Sequence, residues 1–237
     1  IGYSQILLED AEAEDDSEAA VDLEKIHEAG HHLLKLINEV LDLSKIEAGK
    51  MELFIETMDA GALIRDAVEA CRKLADKNGN TVTLDVDARL GTISCDARKL
   101  EQALTQILDN AAKFTEKGSI VVTAARQPAG AGEEIVVAVR DTGIGIAQDV
   151  LPSLFEKFSV ANDSSSSKYG GTGLGLALSQ KLCRLMGGDV TVESELGVGS
   201  CFTIRLPTAV RAQTHEAEAA GADAADTLSA QNLAHAA

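Results

Sequence analysis

Apolar residues recur every seven positions early in the chain, with Ile26, Leu33 and Val40 on one line and Ala29, Leu36 and Leu43 on a second. Such an a/d seam predicts one long helix over residues 17–48, and Leu34, Ile37 and Leu41 widen its stripe. Residues 1–9 are too few to cover so broad a face. The pattern therefore predicts a helical hairpin that pairs with a second copy as a four-helix bundle. Gly49 ends the helix.

Beyond that point the period changes. Residues 51–57 read as an edge strand, and 60–77 as an amphipathic helix with Leu63, Ile64, Ala67, Val68 and Cys71 inward, stopped by Asn78-Gly79-Asn80. Strands follow at 81–86 and 92–94, a helix at 96–114, strands at 119–127 and 134–140, a helix at 173–187, and strands at 189–195 and 200–206. Helices interleaved with antiparallel strands predict an α+β fold, a two-layer α/β sandwich with its helices on one face. The chain thus divides into a dimerisation hairpin (1–50), a second domain (51–207) and an alanine-rich acidic tail (208–237). The tail has no sustained period and reads as a flexible linker.

Composition narrows the classes. A chain of 237 residues, 45% hydrophobic, can bury a core and form two small domains. Its net charge of -17 argues against nucleic acid and against an anionic membrane surface, since both need cationic patches. No apolar run approaches the length of a membrane span, which suits a cytoplasmic segment whose sensory part would lie upstream. The acids Glu9, Asp10, Glu12, Glu14, Asp15, Asp16 and Glu18 read as a solvated hairpin loop. Cys71, Cys95, Cys183 and Cys201 form no C-x-x-C pair and suit reduced, buried thiols. His27-Glu28-Ala29-Gly30-His31 matches the zinc pattern H-E-x-x-H, but the heptad puts both histidines at b and f on the solvent face, which argues against a metal site.

Three stretches carry the chemistry, and together they describe a pocket for ATP. Asn110 and Lys113 lie three apart on the 96–114 helix and so share a face; an amide oxygen suits Mg²⁺ and an ammonium meets phosphate. Asp141 follows the alternating run 135–139, where its carboxylate can accept a hydrogen from an exocyclic amine such as adenine's, and Gly143 and Gly145 would let the backbone approach a flat base. Glycines 170, 171, 173 and 175 precede an apolar helix whose free N–H groups favour phosphate. Neither glycine loop is a G-x-G-x-x-G fingerprint, and no G-x-x-x-x-G-K-[ST] loop occurs. The serine-rich stretch 159–169 between these motifs reads as a surface loop acting as a lid over the nucleotide, with Phe155 and Phe158 anchoring its start.

In these motifs the chain resembles the sensor histidine kinases of two-component signalling, within the ATPases that share the Bergerat nucleotide fold. Residues 101–115 are similar to the family's N box, 141–146 to its G1 box, 154–158 to its F box and 171–176 to its G2 box. Residues 41–49 look like the end of its second dimerisation helix, and 197–202 like the turn into its last strand. The resemblance implies Mg²⁺ on Asn110, phosphate on Lys113 and Phe114 against the nucleotide. It further implies adenine read by Asp141 within a G1 box that includes Gly143, Gly145 and Ile146, and phosphates wrapped by Gly171, Thr172, Gly173, Leu174 and Gly175, with Lys168 near the γ-phosphate. Gln106 stands where the N box usually has an earlier asparagine, one methylene shorter.

The implied function is a homodimeric, ATP- and Mg²⁺-dependent protein-histidine kinase that passes phosphate to an aspartate of a response-regulator receiver, separate or fused downstream. The acceptor histidine of its H box is expected upstream of Ile1, since His31 and His32 lack that context. Two rivals stand beside it: an ATPase of the chaperone or mismatch-repair type, which would want a glutamate base where only Asp109 adjoins Asn110, and a non-catalytic scaffold, which Gln106 keeps open.

Overall fold

The computed structural model describes residues 1–13, 17–130, 132–158 and 172–210. The serine-rich stretch 159–169, read above as a lid, with Lys168, Gly171, the acidic positions 14–16 and the tail beyond Val210 lie outside the described residues.

Helices α1 (Gly2–Ala13) and α2 (Ser17–Glu47) form the hairpin. They meet at His27 and Gly30 of α2; a Cβ on Gly30 would stand 3.0 Å from Ile1 Cγ1, and His27 Nδ1 lies 3.1 Å from Ser4 Oγ. His27 is therefore half-buried against α1, not on the solvent face, because the a/d stripe points elsewhere and leaves the neighbouring face for α1. The heptad stripe itself is divided. Ile26, Leu33, Leu34, Ile37, Val40 and Leu41 stay 44% to 60% exposed in the single chain. Leu36, Leu43 and Ile46, in contrast, pack against Leu174, Leu178 and Leu182 of the second domain.

That domain begins with β1 (Glu56–Asp59), which pairs antiparallel with β3 (Thr92–Cys95). The strand expected at 51–57 is displaced toward the C-terminus, since the Phe54 N–H donates to Asp96 Oδ2 at 3.0 Å rather than to a ladder. Helix α3 (Ala60–Lys77) is N-capped by Asp59 through the Ala62 N–H, and α4 (Ala97–Phe114) by Asp96 through the Lys99 N–H. The main sheet contains β2 (Thr81–Val86), β4 (Ser119–Ala129), β5 (Gly132–Asp141), β6 (Asp189–Glu195) and β7 (Gly199–Pro207) in the order β2-β4-β5-β7-β6. It is mixed rather than antiparallel: β2 and β4 run parallel, because α4 supplies the long crossover such a pair requires.

Helices α3, α4 and α5 (Gly175–Leu185) cover one face. Alternate strand residues, Ile120, Val122 and Ala124, Ile135, Val137 and Val139, Phe202, Ile204 and Leu206, bury into the core with Ile64, Leu104, Ile107 and Leu108. Helix α5 is shorter than the 173–187 expected, since Gly173 (φ 66°) and Gly187 (φ 79°) take left-handed conformations that bound it. Pairing continues past Pro207: the Ser94 N–H donates to Thr208 O and the Val210 N–H to Ser94 O, both at 2.8 Å, and Val210 is buried. Buried Cys71, Cys95 and Cys183 are free thiols, pushed up by burial to about 11, 12 and 12 respectively.

Candidate nucleotide-binding site

Three elements converge: the C-terminal turn of α4, the loop leaving β5, and the N-terminus of α5. The Ile144 N–H donates to Phe114 O at 3.2 Å, which ties the second of these to the first. Asp141 ends β5 almost fully buried. Its Oδ1 accepts from the Gly143 N–H at 2.9 Å and the Ser200 N–H at 3.2 Å. Burial raises its pKa, and the two N–H donors act in the opposite direction. Among the described residues Oδ2 has no donor, so this oxygen is the one available to an exocyclic amine.

Asn110 is half-buried, and its side-chain amide likewise has no partner among the described residues. An open amide oxygen fits Mg²⁺ provided that phosphate and water complete the shell. Lys113 is half-buried with Nζ 5.8 Å from the Phe114 ring centroid; burial foremost, then Lys35, lower its pKa, while Asp109 raises it. Asp109 is shifted upward, chiefly by burial.

The glycines serve the protein's own packing. At Gly143 a Cβ would strike Phe114 O, and at Gly145 (φ 66°) the backbone of Glu195. Both permit the loop to approach neighbouring backbone. Gly175 lies against the Gln106 side chain, so α4 and α5 approach closely there. The Leu174 side chain is buried against α2 and closed to a ligand; its N–H donates to Thr172 Oγ1 at 3.1 Å. Ile146 packs on the core, and the Phe158 N–H donates to Gly173 O at 2.9 Å, joining the two sides of the serine-rich stretch.

Sequence reasoning missed two groups. On α2, Lys35, Glu39, Asp42 and Glu47 face the second domain: Lys35 Nζ is 3.9 Å from Asp109 Oδ2, and Glu39 Oε2 accepts from the Thr172 hydroxyl at 3.1 Å. Asp42 Oδ2 takes Lys99 at 3.3 Å and Gln102 at 3.2 Å, and Glu47 takes Lys157 at 2.6 Å and Lys181 at 3.3 Å. These two lysines hold the Glu47 carboxyl below its usual range. Between α2 and the α4–α5 face lies a cleft of about 520 Å³ that reaches Gln106 and Gly175. The spacing of 35, 39 and 42 along one helical line was its available signal. The second group, Ser194 and Ser200, gave none beyond flanking a glycine turn.

Known proteins match in the same two parts. Residues 1–49 match the His Kinase A (phospho-acceptor) domain, and residues 95–210 the histidine kinase-, DNA gyrase B-, and HSP90-like ATPase family. The circadian input-output histidine kinase CikA of Synechococcus elongatus is 38% identical over 188 residues, 78% of this chain and 24% of CikA. Histidine protein kinase DivJ of Caulobacter vibrioides is 40% identical over 188 residues, 78% of this chain and 30% of DivJ. The crystal structure of full-length ShkA in complex with AMPPNP superposes with a TM-score of 0.70 at 35% identity, covering 83% of this chain and 40% of ShkA. The chain thus spans about a quarter to two fifths of the length of these proteins. A phosphoacceptor-type hairpin followed by a gyrase- and HSP90-like ATPase domain, matched in that order across more than two thirds of its residues, makes this chain a member of the sensor histidine kinase family.

Proposed function

We propose that the chain binds Mg-ATP at the convergence of α4, the β5 loop and α5, and presents the γ-phosphoryl group to an imidazole upstream of Ile1. Asp141 Oδ2 accepts from the adenine amino group, Phe114 lies against the nucleotide, and Asn110 holds Mg²⁺. Lys113 and the backbone N–H groups of Thr172, Gly173 and Gly175 face the phosphates. The metal, when bound, neutralises charge on the β- and γ-phosphates. This domain contributes position and electrostatics, and the imidazole is the nucleophile. The exposed stripe Ile26, Leu33, Ile37 and Val40 pairs with a second copy, and the phosphoryl group passes on to a receiver aspartate.

One observation carries this reading. Asp141 is buried with Oδ1 held by two backbone N–H groups and Oδ2 without a donor among the described residues, and the loop that follows it bonds to Phe114 at the end of the helix that carries Asn110. Its test is γ-labelled ATP given to a longer chain that extends upstream of Ile1. Acid-labile label on the protein is expected; free phosphate instead would make it an ATPase, and neither product would leave a scaffold.

A further inference from the structure

Ser194 and Ser200 are cross-strand partners in the β6–β7 register, so their side chains share one face. Ser194 Oγ donates to Gly199 O at 2.9 Å, accepts from the Ile146 N–H at 2.8 Å, and lies 2.9 Å from Ser200 Oγ. Its single proton goes to Gly199, so the Ser200 hydroxyl is the donor in the third contact. A hydroxyl offers one donor and two acceptor sites, and here all three are used.

These bonds close a ring around Asp141. Ile146 ends the loop whose Gly143 N–H holds Asp141 Oδ1, and Ser200 supplies the second N–H to the same oxygen. Further ties tighten it: Gln148 Nε2 donates to Ser194 O at 2.8 Å, and the Gly197 N–H donates to Ile144 O at 2.7 Å. Gly199 (φ 135°) has no room for a Cβ, which would strike Asp141 O. A carboxylate with both oxygens loose can rotate and satisfy itself in several ways. With Oδ1 held from two directions, Oδ2 is presented in one orientation.

We propose that the Ser194 hydroxyl is a positioning residue that fixes Asp141 for reading the amino group of the base, and so sets the preference for adenine over a base with a carbonyl at that position. The inference rests on the nucleotide reading above. Ser194 touches no ligand atom; it acts through Ile146, Gly199 and Ser200.

Calorimetric titration with Mg-ATP and Mg-ITP tests it, because ITP carries an oxygen where ATP carries the amino group. Ser194→Ala is expected to weaken ATP binding about tenfold and ITP binding less than about twofold, so the ATP-over-ITP ratio falls by a factor of at least about five. Ser194→Thr, which retains the hydroxyl, is expected to keep the ratio of the unaltered protein. Equal losses for both nucleotides in Ser194→Ala, an unchanged ratio, or a threonine variant with the alanine variant's ratio would each overturn the proposal. Failure of the underlying reading looks different: the unaltered protein would then bind neither nucleotide.

Discussion

The two borders of the proposed nucleotide site are built in opposite ways. On the β5 side, Asp141, Ser194, Ser200 and the glycine loop form a saturated network of short bonds, mostly to backbone. On the α2 side, the side chains of Lys35, Glu47, Lys157 and Lys181 are all a third or more exposed, while the leucine cluster beneath them and Glu39 are buried. Leaving one buried polar group unpaired costs about 1–3 kcal/mol, whereas an exposed ion pair contributes about 0–1 kcal/mol and is screened by salt. The β5 border is therefore rigid by construction. The contact with α2 depends on a few leucines and a set of weak pairs.

The sharpest test of that contrast is Asp141→Asn. Replacing the open acceptor by an amide N–H facing another donor should weaken Mg-AMPPNP binding about 100-fold, or about 2.7 kcal/mol, by calorimetry. The same variant should melt at or above the temperature of the unaltered protein at pH 7. Burial raises the Asp141 pKa, so the folded state holds this proton more tightly than the unfolded state, and the stability the protonated group contributes is lost as pH rises from its unfolded value of about 3.9 through the folded one. The melting advantage of asparagine should accordingly shrink on acidification through that window. Unchanged nucleotide affinity would remove Asp141 from the site.

Next in size is Leu43→Ala, which empties a position 4% exposed between α2 and α5. Its cost should be about 2 kcal/mol, at the low end for a core leucine because α2 is solvated on its other side. Hydrogen exchange should accelerate along α2 while α4 keeps its protection. Equal acceleration in both helices would mean that the two borders are not separable. Asn110→Ala should lower nucleotide affinity about tenfold in Mg²⁺ and leave it nearly unchanged in EDTA, which separates a metal ligand from a packing residue. The smallest effect is expected from Glu47→Gln. Loss of its two lysine partners should lower the melting temperature only slightly, and the difference from the unaltered protein should vanish in about 1 M salt. A difference that survives high salt would show the α2 seam to be less solvated than its exposure indicates.

Much of this could be read without coordinates, because the signals were local. The alternation of 135–139 announces a half-buried strand, and the seven-residue spacing of Ile26, Leu33 and Val40 a face awaiting a partner. What escaped was long-range. The stripe of α2 looked continuous, yet Leu43 belongs to the core beside α5, since a heptad says that a face is apolar and not which neighbour covers it. Gly145 lies against the backbone of Glu195, a contact that no local spacing announces.

By itself, then, the amino-acid order determined the element types, the mixture of helix and strand, and the residue kinds able to meet adenine, magnesium and phosphate, for these depend on periods and spacings within a few turns of chain. Only the tertiary structure decided that Asp42 meets Lys99, that Glu47 meets Lys157 and Lys181, and that one serine hydroxyl closes the ring around Asp141. Partners 48 to 134 residues apart are brought together by the packing of whole helices and strands, and hydrogen-bond geometry at 3 Å is a property of that packing rather than of any segment.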